Sequence, residues 1–368
     1  MSRARKMFTE AMRTAAAAHG GSGGWSDATR LVREGRLMDA TARIQERLGA
    51  GLPGMPPMSG TTMPMSGMSR SGAGSAHGAG AGSSDRAAGT VTRGAASAGG
   101  DRRAYRLFVP PGLASGAPLV VMLHGGTQDA DGFAACTGMD EAAARAGVAV
   151  VYPEQSRQAN AMGYWNWFRP GDQTRDGGEP AVIAAITRTV AGELRADPAR
   201  VAVAGFSAGA AMAAVMAATH PDVFCGAGVH SGLPHRAARD IGSAFAAMSS
   251  PPAEVADAGP VPLVVVHGDA DRTVAPGNAD AVVRSALRRA GRVERDRASG
   301  QADGGRRWTR ERCAEPGGRV LAESWTVHGL GHAWSGGRAG VAYADPSGPD
   351  AAAAMLAFFG FTADRDVV

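Results

Sequence analysis

Residues 201–219 of the chain, VAVAGFSAGAAMAAVMAAT, contain no charged side chain over nineteen positions. About 18 apolar residues can cross a bilayer as a helix, so length alone allows a membrane span. A buried helix, or a strand followed by a turn and a helix, would also fit this pattern. Most of the residues are Ala and Gly, whose small side chains gain little free energy on leaving water. The composition therefore argues against a membrane span.

Short apolar runs alternate with longer segments of helical length from residue 101 onward. The runs include APLVVMLHGG, GVAVVYP, RVAVAGFS and VPLVVVHGD. Continuous runs of Val and Leu are typical of strands in a parallel sheet that is covered on both faces. The sequence therefore predicts an α/β fold with a mostly parallel central sheet and helices on both faces. In that fold RVAVAG is one buried strand, and AGAAMAAVMAATH is the helix after it.

Two segments of different composition precede this part of the chain. In residues 1–50 apolar residues recur at roughly helical spacing between Arg and Glu, which predicts a small helical segment. Residues 51–100 are rich in Gly, Ser, Pro and Met and show no periodicity. A segment of this kind buries too little apolar surface to offset its chain entropy, so a disordered, flexible linker is predicted there.

The charge pattern argues against a nucleic-acid partner. The chain has 38 basic and 34 acidic residues, a formal net charge of +4 and no dense run of Lys or Arg. Binding to a nucleic acid requires clustered positive charge. At the N-terminus, Glu10 and Arg13 interrupt any apolar stretch, so no secretory signal peptide is expected.

The three cysteines, Cys136, Cys225 and Cys313, lie far apart and include no CxxC pair. A sparse, odd-numbered set of this kind argues against a disulfide framework and against a zinc site. At most one disulfide can form, and the sequence leaves open whether it does. No metal ion or other cofactor is predicted.

The pentapeptide GFSAG, residues 205–209, fits the pattern G-x-S-x-G between a predicted strand and a predicted helix. This context is typical of a nucleophile elbow, a sharp turn that presents a Ser hydroxyl at the carboxyl edge of the sheet. Gly205 and Gly209 are small where the strand and the helix come close together. The helix N-terminus directs amide groups and positive dipole toward developing negative charge. Ser207 is therefore the candidate nucleophile.

A serine hydroxyl needs a base to take its proton, and the base needs an orienting carboxylate. In hydrolases with this elbow the chain order is Ser, then Asp or Glu, then His. VPLVVVHGDADRTV supplies Asp269 and Asp271, and ESWTVHGLGHAWSGG supplies His328 and His332. Asp271 is favoured because it lies one turn beyond the strand end, and Asp269 is expected to brace the loop. His332 in the glycine-rich loop is favoured over His328, which still belongs to the strand end.

Acyl transfer also requires an oxyanion hole, in which one donor typically contributes about 3–4 kcal/mol of transition-state stabilisation. LHGG places Gly126 just after a predicted strand. Its backbone N–H and that of Ala208, the residue after the nucleophile, form the expected pair of donors. His124 in the same loop is expected to hold the loop by hydrogen bonds. His230 and His267, both at strand ends, are expected to be structural.

Together these motifs resemble one family, the poly(3-hydroxybutyrate) (PHB) depolymerase-type esterases of the α/β-hydrolase superfamily, which also include feruloyl and acetylxylan esterases. The resemblance extends from about Tyr105 to Phe361. It is carried by LVVMLHGGTQ, VVYPEQS, YWNWF, GEPAVIAAI, VAVAGFSAGAAMA, FCGAGVHSG, HGDADRTV and GHAWSGG. It implies that residues 101–368 form an α/β-hydrolase catalytic domain.

By position, the resemblance implies Ser207 as nucleophile, Asp271 as orienting acid and His332 as base, with Gly126 and Ala208 as oxyanion donors. Members of the family often have Cys where this chain has Gly126, and any disulfide made by that Cys is absent here. Secreted depolymerases tend to carry a polymer-binding domain after the catalytic one, and none is expected here. Family members are often extracellular, whereas the lack of a recognisable signal peptide leaves a cytoplasmic location open.

Aromatic residues are the candidates for substrate binding. Trp165 and Trp167 lie in YWNWF, which is either a packed loop or part of the substrate cleft. Trp334 is two residues beyond His332, so it is expected to line the cleft and to favour long acyl chains.

The leading interpretation is a metal-free serine esterase that acts on poly- or oligo(3-hydroxyalkanoate), with a polyester or a small ester as its substrate. A feruloyl- or acetylxylan-type carboxylesterase, acting on small or carbohydrate-linked esters, has the same triad and remains an alternative. A third reading is an inactive granule-binding protein, against which every expected triad and oxyanion element is intact. Residues 1–50 are a candidate for docking on the surface of polymer granules.

Overall fold

A computed structural model describes residues 88–362 of the chain. The helical segment predicted for residues 1–50, with its contact to polymer granules, lies outside the described residues. Residues 51–87 of the predicted linker also lie outside them.

Twelve strands are present within the described residues. Their bounds are β1 Thr90–Ala98, β2 Asp101–Val109, β3 Leu119–Leu123, β4 Ala149–Pro153, β5 Val201–Phe206, β6 Gly226–His230, β7 Leu263–Gly268, β8 Glu294–Gln301, β9 Arg307–Ala314, β10 Val320–Val327, β11 Trp334–Ser335 and β12 Ala344–Asp345.

Seven α-helices connect and follow these strands in the same part of the chain. They are α1 Ala130–Thr137, α2 Met139–Ala146, α3 Gly178–Leu194, α4 Ala208–Thr219, α5 Ile241–Ser249, α6 Gly277–Ala286 and α7 Ala351–Phe358. Two short 3-10 helices occupy Pro170–Gln173 and Pro198–Arg200.

The first ten strands form one sheet in the order β1-β2-β4-β3-β5-β6-β7-β10-β9-β8. The six central strands, from β4 to β10, run parallel to one another. An antiparallel pair flanks them on each side, β1 with β2 and β9 with β8. The predicted α/β-hydrolase fold with a mostly parallel central sheet is therefore confirmed.

Helices cover both faces of the sheet, and β3 shows how the core divides. Successive side chains of a strand point to opposite faces. Leu119, Val121 and Leu123 belong to the core shared with α3, α4, α5 and α6. Val120 and Met122 belong to the core shared with α1, α2 and α7. Burial on both faces explains why the central strands are continuous apolar runs rather than alternating ones.

Strand β1 corrects the predicted extent of the linker. Residues 90–98 fall within the segment 51–100, yet they form an antiparallel hairpin with β2. Gly99 and Gly100, both with positive φ, make the two-residue turn between the strands, and Gly-Gly is favoured in such turns. The composition of this segment does not indicate a strand, because its side chains are mostly small. Backbone pairing with β2, rather than burial of large side chains, holds it in place.

Residues 201–219 divide into β5 and α4, as predicted. All of β5 is buried, and so are the α4 residues from Ala208 to Ala217. The lack of charged side chains therefore reflects burial of a strand and a helix in the protein core. Within residues 88–362, no helix has the length and apolar character needed to cross a membrane.

The three cysteines, all within the described residues, are free thiols. Burial raises the pKa of both Cys136 and Cys225 to about 11. They are consequently protonated at neutral pH, and a buried protonated thiol packs as a small apolar side chain.

A buried ion pair joins β2 to α2. Arg106 Nη2 donates to Asp140 Oδ2 at 2.6 Å, and the Tyr152 hydroxyl on β4 donates to Asp140 Oδ1 at 2.8 Å. The Arg106 guanidinium carbon also lies 5.0 Å from the centre of the Tyr152 ring. Arg106 and Asp140 are 8% and 7% exposed, so each charge depends on these partners in place of water.

Asp140→Ala is expected to destabilise the fold by about 3–5 kcal/mol, because it leaves the Arg106 charge buried without its main partner. The measurement is the free energy of urea unfolding. Asp222→Ala is the matched control, since Asp222 forms an exposed pair with Arg175 and water already solvates both groups. Equal losses in the two variants would contradict a special role for the buried pair.

Candidate active site

The candidate site lies at the point where the strand order of the sheet reverses. Strand β4 lies on one side of β3 and β5 on the other. The connection after β3 leads to β4, and the connection after β5 leads the opposite way, to β6. Such an arrangement opens a crevice at the carboxyl ends of the two strands, where ligands of open α/β sheets bind. Residues 124–128, which we call the oxyanion loop, follow β3, and Ser207 follows β5.

Ser207 occupies a strained turn that close packing enforces. Its φ of 54° and ψ of −116° are unusual for a residue with a side chain. The Ser207 N–H donates to His230 O at 2.9 Å, which fixes the turn against the neighbouring strand. A Cβ on Gly209 would lie 2.0 Å from Leu123 O, and one on Gly205 would lie 2.4 Å from the Gly209 carbonyl carbon. Only glycines at both positions let α4 approach β3 and β5 this closely.

The structure brings together the three residues predicted as a catalytic triad. His332 Nδ1–H donates to Asp271 Oδ2 at 2.7 Å, and the Ser207 hydroxyl donates to His332 Nε2 at 2.9 Å. This order of donors corresponds to the Nδ1-protonated tautomer, whose Nε2 lone pair can accept the hydroxyl proton. The Phe206 ring lies 4.9 Å from the imidazole and packs against it. The arrangement has the connectivity needed to activate a serine hydroxyl.

The Asp271 carboxylate is buried and held at both oxygens. Oδ1 accepts the backbone N–H groups of Thr273 and Val274 at 2.8 and 2.9 Å. Oδ2 accepts from His332 and faces His267 Nε2 at 3.4 Å. Burial alone would raise the pKa of Asp271, but the hydrogen bonds from His267, His332 and Val274 outweigh it and hold the pKa below its usual range. The carboxylate therefore stays ionised beside the imidazole at neutral pH.

Asp269 and His328, the alternatives left by the sequence, pair with each other instead of with Ser207. His328 Nδ1–H donates to Asp269 Oδ2 at 2.8 Å, and the Gly329 N–H donates to Asp269 Oδ1 at 2.6 Å. His328 Nε2 contacts Thr309 Oγ1 at 3.0 Å on β9. This second pair ties the Asp loop to the His loop, and it fits the bracing role expected for Asp269.

The structure places the predicted oxyanion donors on the two elements that meet at the elbow. Ala208 is the first residue of α4, so its N–H has no acceptor within the helix. Gly126 lies in the oxyanion loop, against the ring of Tyr164. A Cβ on Gly126 would lie 1.8 Å from Tyr164 Cε1, so the tyrosine occupies the space that a side chain at this position would need.

The three buried histidines predicted to be structural make hydrogen bonds that fix loops around the site. His124 Nε2 accepts from the Gln155 N–H at 3.1 Å, which leaves Nδ1–H to donate to Gly125 O at 2.8 Å. His230 Nε2 accepts from the Ser335 N–H at 3.0 Å, and burial lowers its pKa well below the usual value. His267 Nε2–H donates to Val274 O at 3.0 Å.

The substrate-binding role predicted for three tryptophans is wrong in this structure, because none of them presents its ring to solvent. Trp165 and Trp334 have no exposed surface, and Trp167 is 6% exposed. Trp334 stacks on His230 at 4.7 Å with an angle of 23° between the rings. Trp165 packs 5.5 Å from His124, and Trp167 packs on its neighbour in the chain. Trp165 and Trp334 therefore pack inside the protein against histidines that fix loops of the site.

A buried polar network near the site is not among the features predicted from the sequence. The Glu179 carboxylate on α3 accepts hydrogen bonds from Gln155 and Asn166, and all three are buried. Burial, with a contribution from the Asp172 charge, raises the pKa of Glu179 to about 7, although the hydrogen bonds oppose this shift. The sequence contains one sign of this network, a single Glu at the start of the apolar helix GEPAVIAAI. An acid that is buried with such a helix needs hydrogen-bond partners.

Two residues with side chains in the left-handed region lie on facing loops beside the site. Thr127 has φ 66° and Tyr343 has φ 61°, and their side-chain oxygens are 3.5 Å apart. The centre of the Tyr343 ring is 6.4 Å from that of Phe206, the residue before Ser207. A β-branched residue at positive φ is strained, and such strain is concentrated at functional sites. The oxyanion loop and the loop after His332 are thus in contact.

A polar cavity of about 410 Å³ opens next to the oxyanion loop. Thr127 and Gln128 form part of its wall, and Met162 contributes an apolar patch. The remaining lining residues are mostly charged or polar: Arg102, Arg103, Asp129, Glu154, Gln155, Ser156 and Arg157.

The parallel sheet, the elbow at its switch point and the Asp and His loops that follow define the α/β-hydrolase class. A family model described as esterase PHB depolymerase matches residues 103–313. The chain therefore belongs to the PHB depolymerase family of esterases.

Individual relatives agree with this assignment. The chain is 37% identical over 238 residues to poly(3-hydroxyalkanoate) depolymerase C of Paucimonas lemoignei, across 61% of this chain and 56% of that protein. It is 34% identical over 266 residues to NocK of Nocardia uniformis subsp. tsuyamanensis, across 65% of this chain and 72% of that protein. An acetyl xylan esterase from Aspergillus awamori has a similar fold, with a TM-score of 0.56 at 19% identity over 74% of this chain and all of that one.

Trp334→Ala is expected to destabilise the fold by about 3–5 kcal/mol, since it removes a fully buried ring from between His230, Phe133 and Phe206. Ester hydrolysis should lose kcat, because β11 follows His332 directly, while the dependence of KM on acyl-chain length should not change. Urea unfolding and a series of p-nitrophenyl esters measure these effects.

Trp308→Ala is the matched control for that variant. Trp308 is also buried, but it packs on Trp325 in the antiparallel part of the sheet. It should lose comparable stability and keep kcat. A selective rise of KM for long acyl chains in Trp334→Ala would restore the cleft-lining role.

Proposed function

We propose that this chain is a serine esterase that hydrolyses ester bonds of poly- or oligo(3-hydroxyalkanoate) through an acyl-enzyme. The observation that carries the proposal is the hydrogen-bonded series Ser207–His332–Asp271, built on a strained elbow at the switch point of the sheet. Membership of the PHB depolymerase family supports an ester bond as the bond that is cleaved.

In the first half of the reaction, Ser207 Oγ attacks the ester carbonyl carbon while His332 Nε2 takes the hydroxyl proton. The carbonyl π-electrons move onto the oxygen, and the N–H groups of Gly126 and Ala208 stabilise this oxyanion. Asp271 stabilises the imidazolium through Nδ1–H without taking the proton. When the tetrahedral intermediate collapses, the ester C–O bond breaks and His332 gives its proton to the leaving alkoxide. The alcohol departs and the acyl group remains on Ser207.

In the second half, a water molecule takes the place of the alcohol. His332 Nε2 removes a proton from the water as its oxygen attacks the acyl carbon. The same two donors hold the second oxyanion, and collapse returns the proton to Ser207 Oγ as the acyl C–O bond breaks. A carboxylic acid is released and the enzyme is regenerated.

The choice of a hydroxyalkanoate ester rests on similarity to the depolymerase of Paucimonas lemoignei, whose name states that it acts on poly(3-hydroxyalkanoate). In such a polyester both the acyl part and the alcohol part are hydroxyalkanoate units, so each product carries a hydroxyl and a carboxyl group. A site for this substrate needs a polar space on the alcohol side of the nucleophile.

The cavity beside the oxyanion loop also favours a second candidate, a carboxylesterase that acts on small or carbohydrate-linked esters. Its wall offers many hydrogen-bonding groups and more polar than apolar surface, which suits a sugar hydroxyl as well as a hydroxyacid. Both candidates use the same triad, so only the substrate separates them.

The first test compares initial hydrolysis rates of the wild type and Ser207→Ala on amorphous PHB granules, p-nitrophenyl butyrate and methyl ferulate. Loss of the nucleophile should lower kcat by on the order of 10⁴–10⁶ on every substrate that the wild type cleaves. Ser249→Ala, on an exposed helix end, is the control and should match the wild type.

The pattern of substrates then decides between the candidates. If the wild type clears the granules and Ser207→Ala does not, the hydroxyalkanoate assignment is supported. Cleavage of small esters only, still dependent on Ser207, supports the carboxylesterase. Retention of wild-type rates in Ser207→Ala would overturn the nucleophile and the proposal with it.

Asp271→Asn is expected to lower kcat by about 10⁴, because an amide cannot stabilise the imidazolium and permits the wrong tautomer of His332. The measurement is kcat on the best ester of the panel, at a temperature where circular dichroism shows a folded protein. Asp269→Asn is the comparison, since Asp269 contacts His328 rather than His332. A larger loss in Asp269→Asn would exchange the roles assigned to the two carboxylates.

A further inference from the structure

Glu179 is a buried acid that the reaction as described does not use. It is 1% exposed and lies at the start of α3. Its Oε1 accepts from Gln155 Nε2 and from Asn166 Nδ2, both at 2.5 Å, and its Oε2 accepts from the Asn166 backbone N–H at 2.6 Å. Burying a carboxylate is costly unless its oxygens are hydrogen-bonded, so these contacts are required to keep it inside.

The two residues that Glu179 holds belong to segments that contact the oxyanion loop. Gln155 follows β4, and its backbone N–H donates to His124 Nε2 at 3.1 Å. His124 in turn donates to Gly125 O, next to the predicted oxyanion donor. One route of contacts therefore runs from the carboxylate to the loop through the imidazole.

A second route passes through the aromatic segment before Asn166. The Gln155 side-chain amide donates to Tyr164 O at 2.8 Å as well as to Glu179. The Tyr164 ring fills the space directly against Gly126. Fixing the backbone of residues 164–166 therefore fixes the surface on which Gly126 rests.

We propose that Glu179 is a positioning residue for the oxyanion hole, whose carboxylate orders Gln155 and Asn166 so that His124 and Tyr164 hold the Gly126 N–H toward the reacting carbonyl. This inference rests on the proposed function, because it assigns a role within the same reaction. It adds a residue outside the triad on which transition-state stabilisation depends.

The charged groups around Glu179 show that hydrogen bonds, and not a direct ion pair, maintain this arrangement. Asp172 Oδ1 accepts from the Glu179 N–H at 2.8 Å. Arg103 Nε donates at 3.1 Å to Gln155 Oε1, so this guanidinium hydrogen-bonds the amide rather than the carboxylate. An amide at position 179 would keep the shape of the side chain but replace one acceptor oxygen with a donor that faces other donors.

The test is Glu179→Gln in the full chain, with kcat and KM for p-nitrophenyl butyrate and the inhibition constant of butylboronic acid. The boronic acid forms an adduct with a serine nucleophile that places an oxygen at the oxyanion donors. We expect kcat to fall about 10- to 100-fold with KM within about threefold, and the boronic acid to bind more weakly by a similar factor.

Glu193→Gln is the matched control, since Glu193 is an exposed residue of the same helix. It should keep the kcat and the inhibitor affinity of the wild type. Gln155→Met is the second test and serves if Glu179→Gln does not fold. It removes the side-chain hydrogen bonds from Gln155 to Glu179 and to Tyr164 O while leaving the two Asn166 hydrogen bonds on the carboxylate, and it should lower kcat at unchanged KM.

The outcomes separate this inference from the proposed function. If a folded Glu179→Gln or Gln155→Met loses stability but keeps kcat and boronic acid affinity, Glu179 is only structural and the inference is overturned. A parallel loss of kcat and inhibitor affinity supports it. If the wild type cleaves no ester at all, the proposed function itself fails, and that result is visible before any variant is compared.

Discussion

The backbone contact between α4 and the end of β3 decides where the parts of the site lie. Gly209 presses against the carbonyl oxygens of Leu123 and His124, and Gly205 presses against Gly209. Because no side chain separates these elements, the turn at Ser207 must be sharp, and the hydroxyl has to leave the sheet at its carboxyl edge. The same contact brings the oxyanion loop beside the first N–H of the helix. The positions of the proposed nucleophile and of the proposed oxyanion donors are thus consequences of one close approach.

Around that contact, three buried histidines fix the loops of the site by hydrogen bonds. His124 and His230 accept the backbone N–H groups of Gln155 and Ser335, and His267 donates to Val274 O in the loop after its strand. Neutral imidazole suits this purpose at His124 and His230, where both ring nitrogens have hydrogen-bond partners and one can donate while the other accepts. Burial lowers the pKa of His124 and His230, which keeps them neutral. Aromatic rings complete the support, with Trp165 against one of these histidines and Trp334 against another.

Much of this organisation could be predicted from the sequence, and the reasons are physical. Parallel strands buried on both faces must be apolar runs, and a tight strand–helix turn must have small residues around Ser207, so the sheet and the elbow leave clear patterns. Chain order then selected Asp271 and His332. β1 left no such pattern, because Ala, Ser and Gly are also the residues of linkers, and the pairing that orders them depends on β2.

The tryptophans and Glu179 show a different limit. Proximity of Trp334 to His332 in the chain suggested a shared cleft, but β11 turns the ring inward onto His230. Whether an aromatic side chain faces substrate or core depends on loop geometry that one sequence does not contain. The partners of Glu179 come from segments 24 and 13 residues away, so no local spacing could reveal them.

The edges of the ten-stranded sheet affect how neighbouring molecules meet. β8 ends the sheet on one side, and its first four residues, Glu294, Arg295, Asp296 and Arg297, are exposed and charged. An open edge offers unpaired backbone groups to any other extended chain, and charged side chains oppose such pairing. An approaching strand would have to match this alternation of signs or bury its own charges. The edge thereby discourages self-association into β-aggregates at high protein concentration.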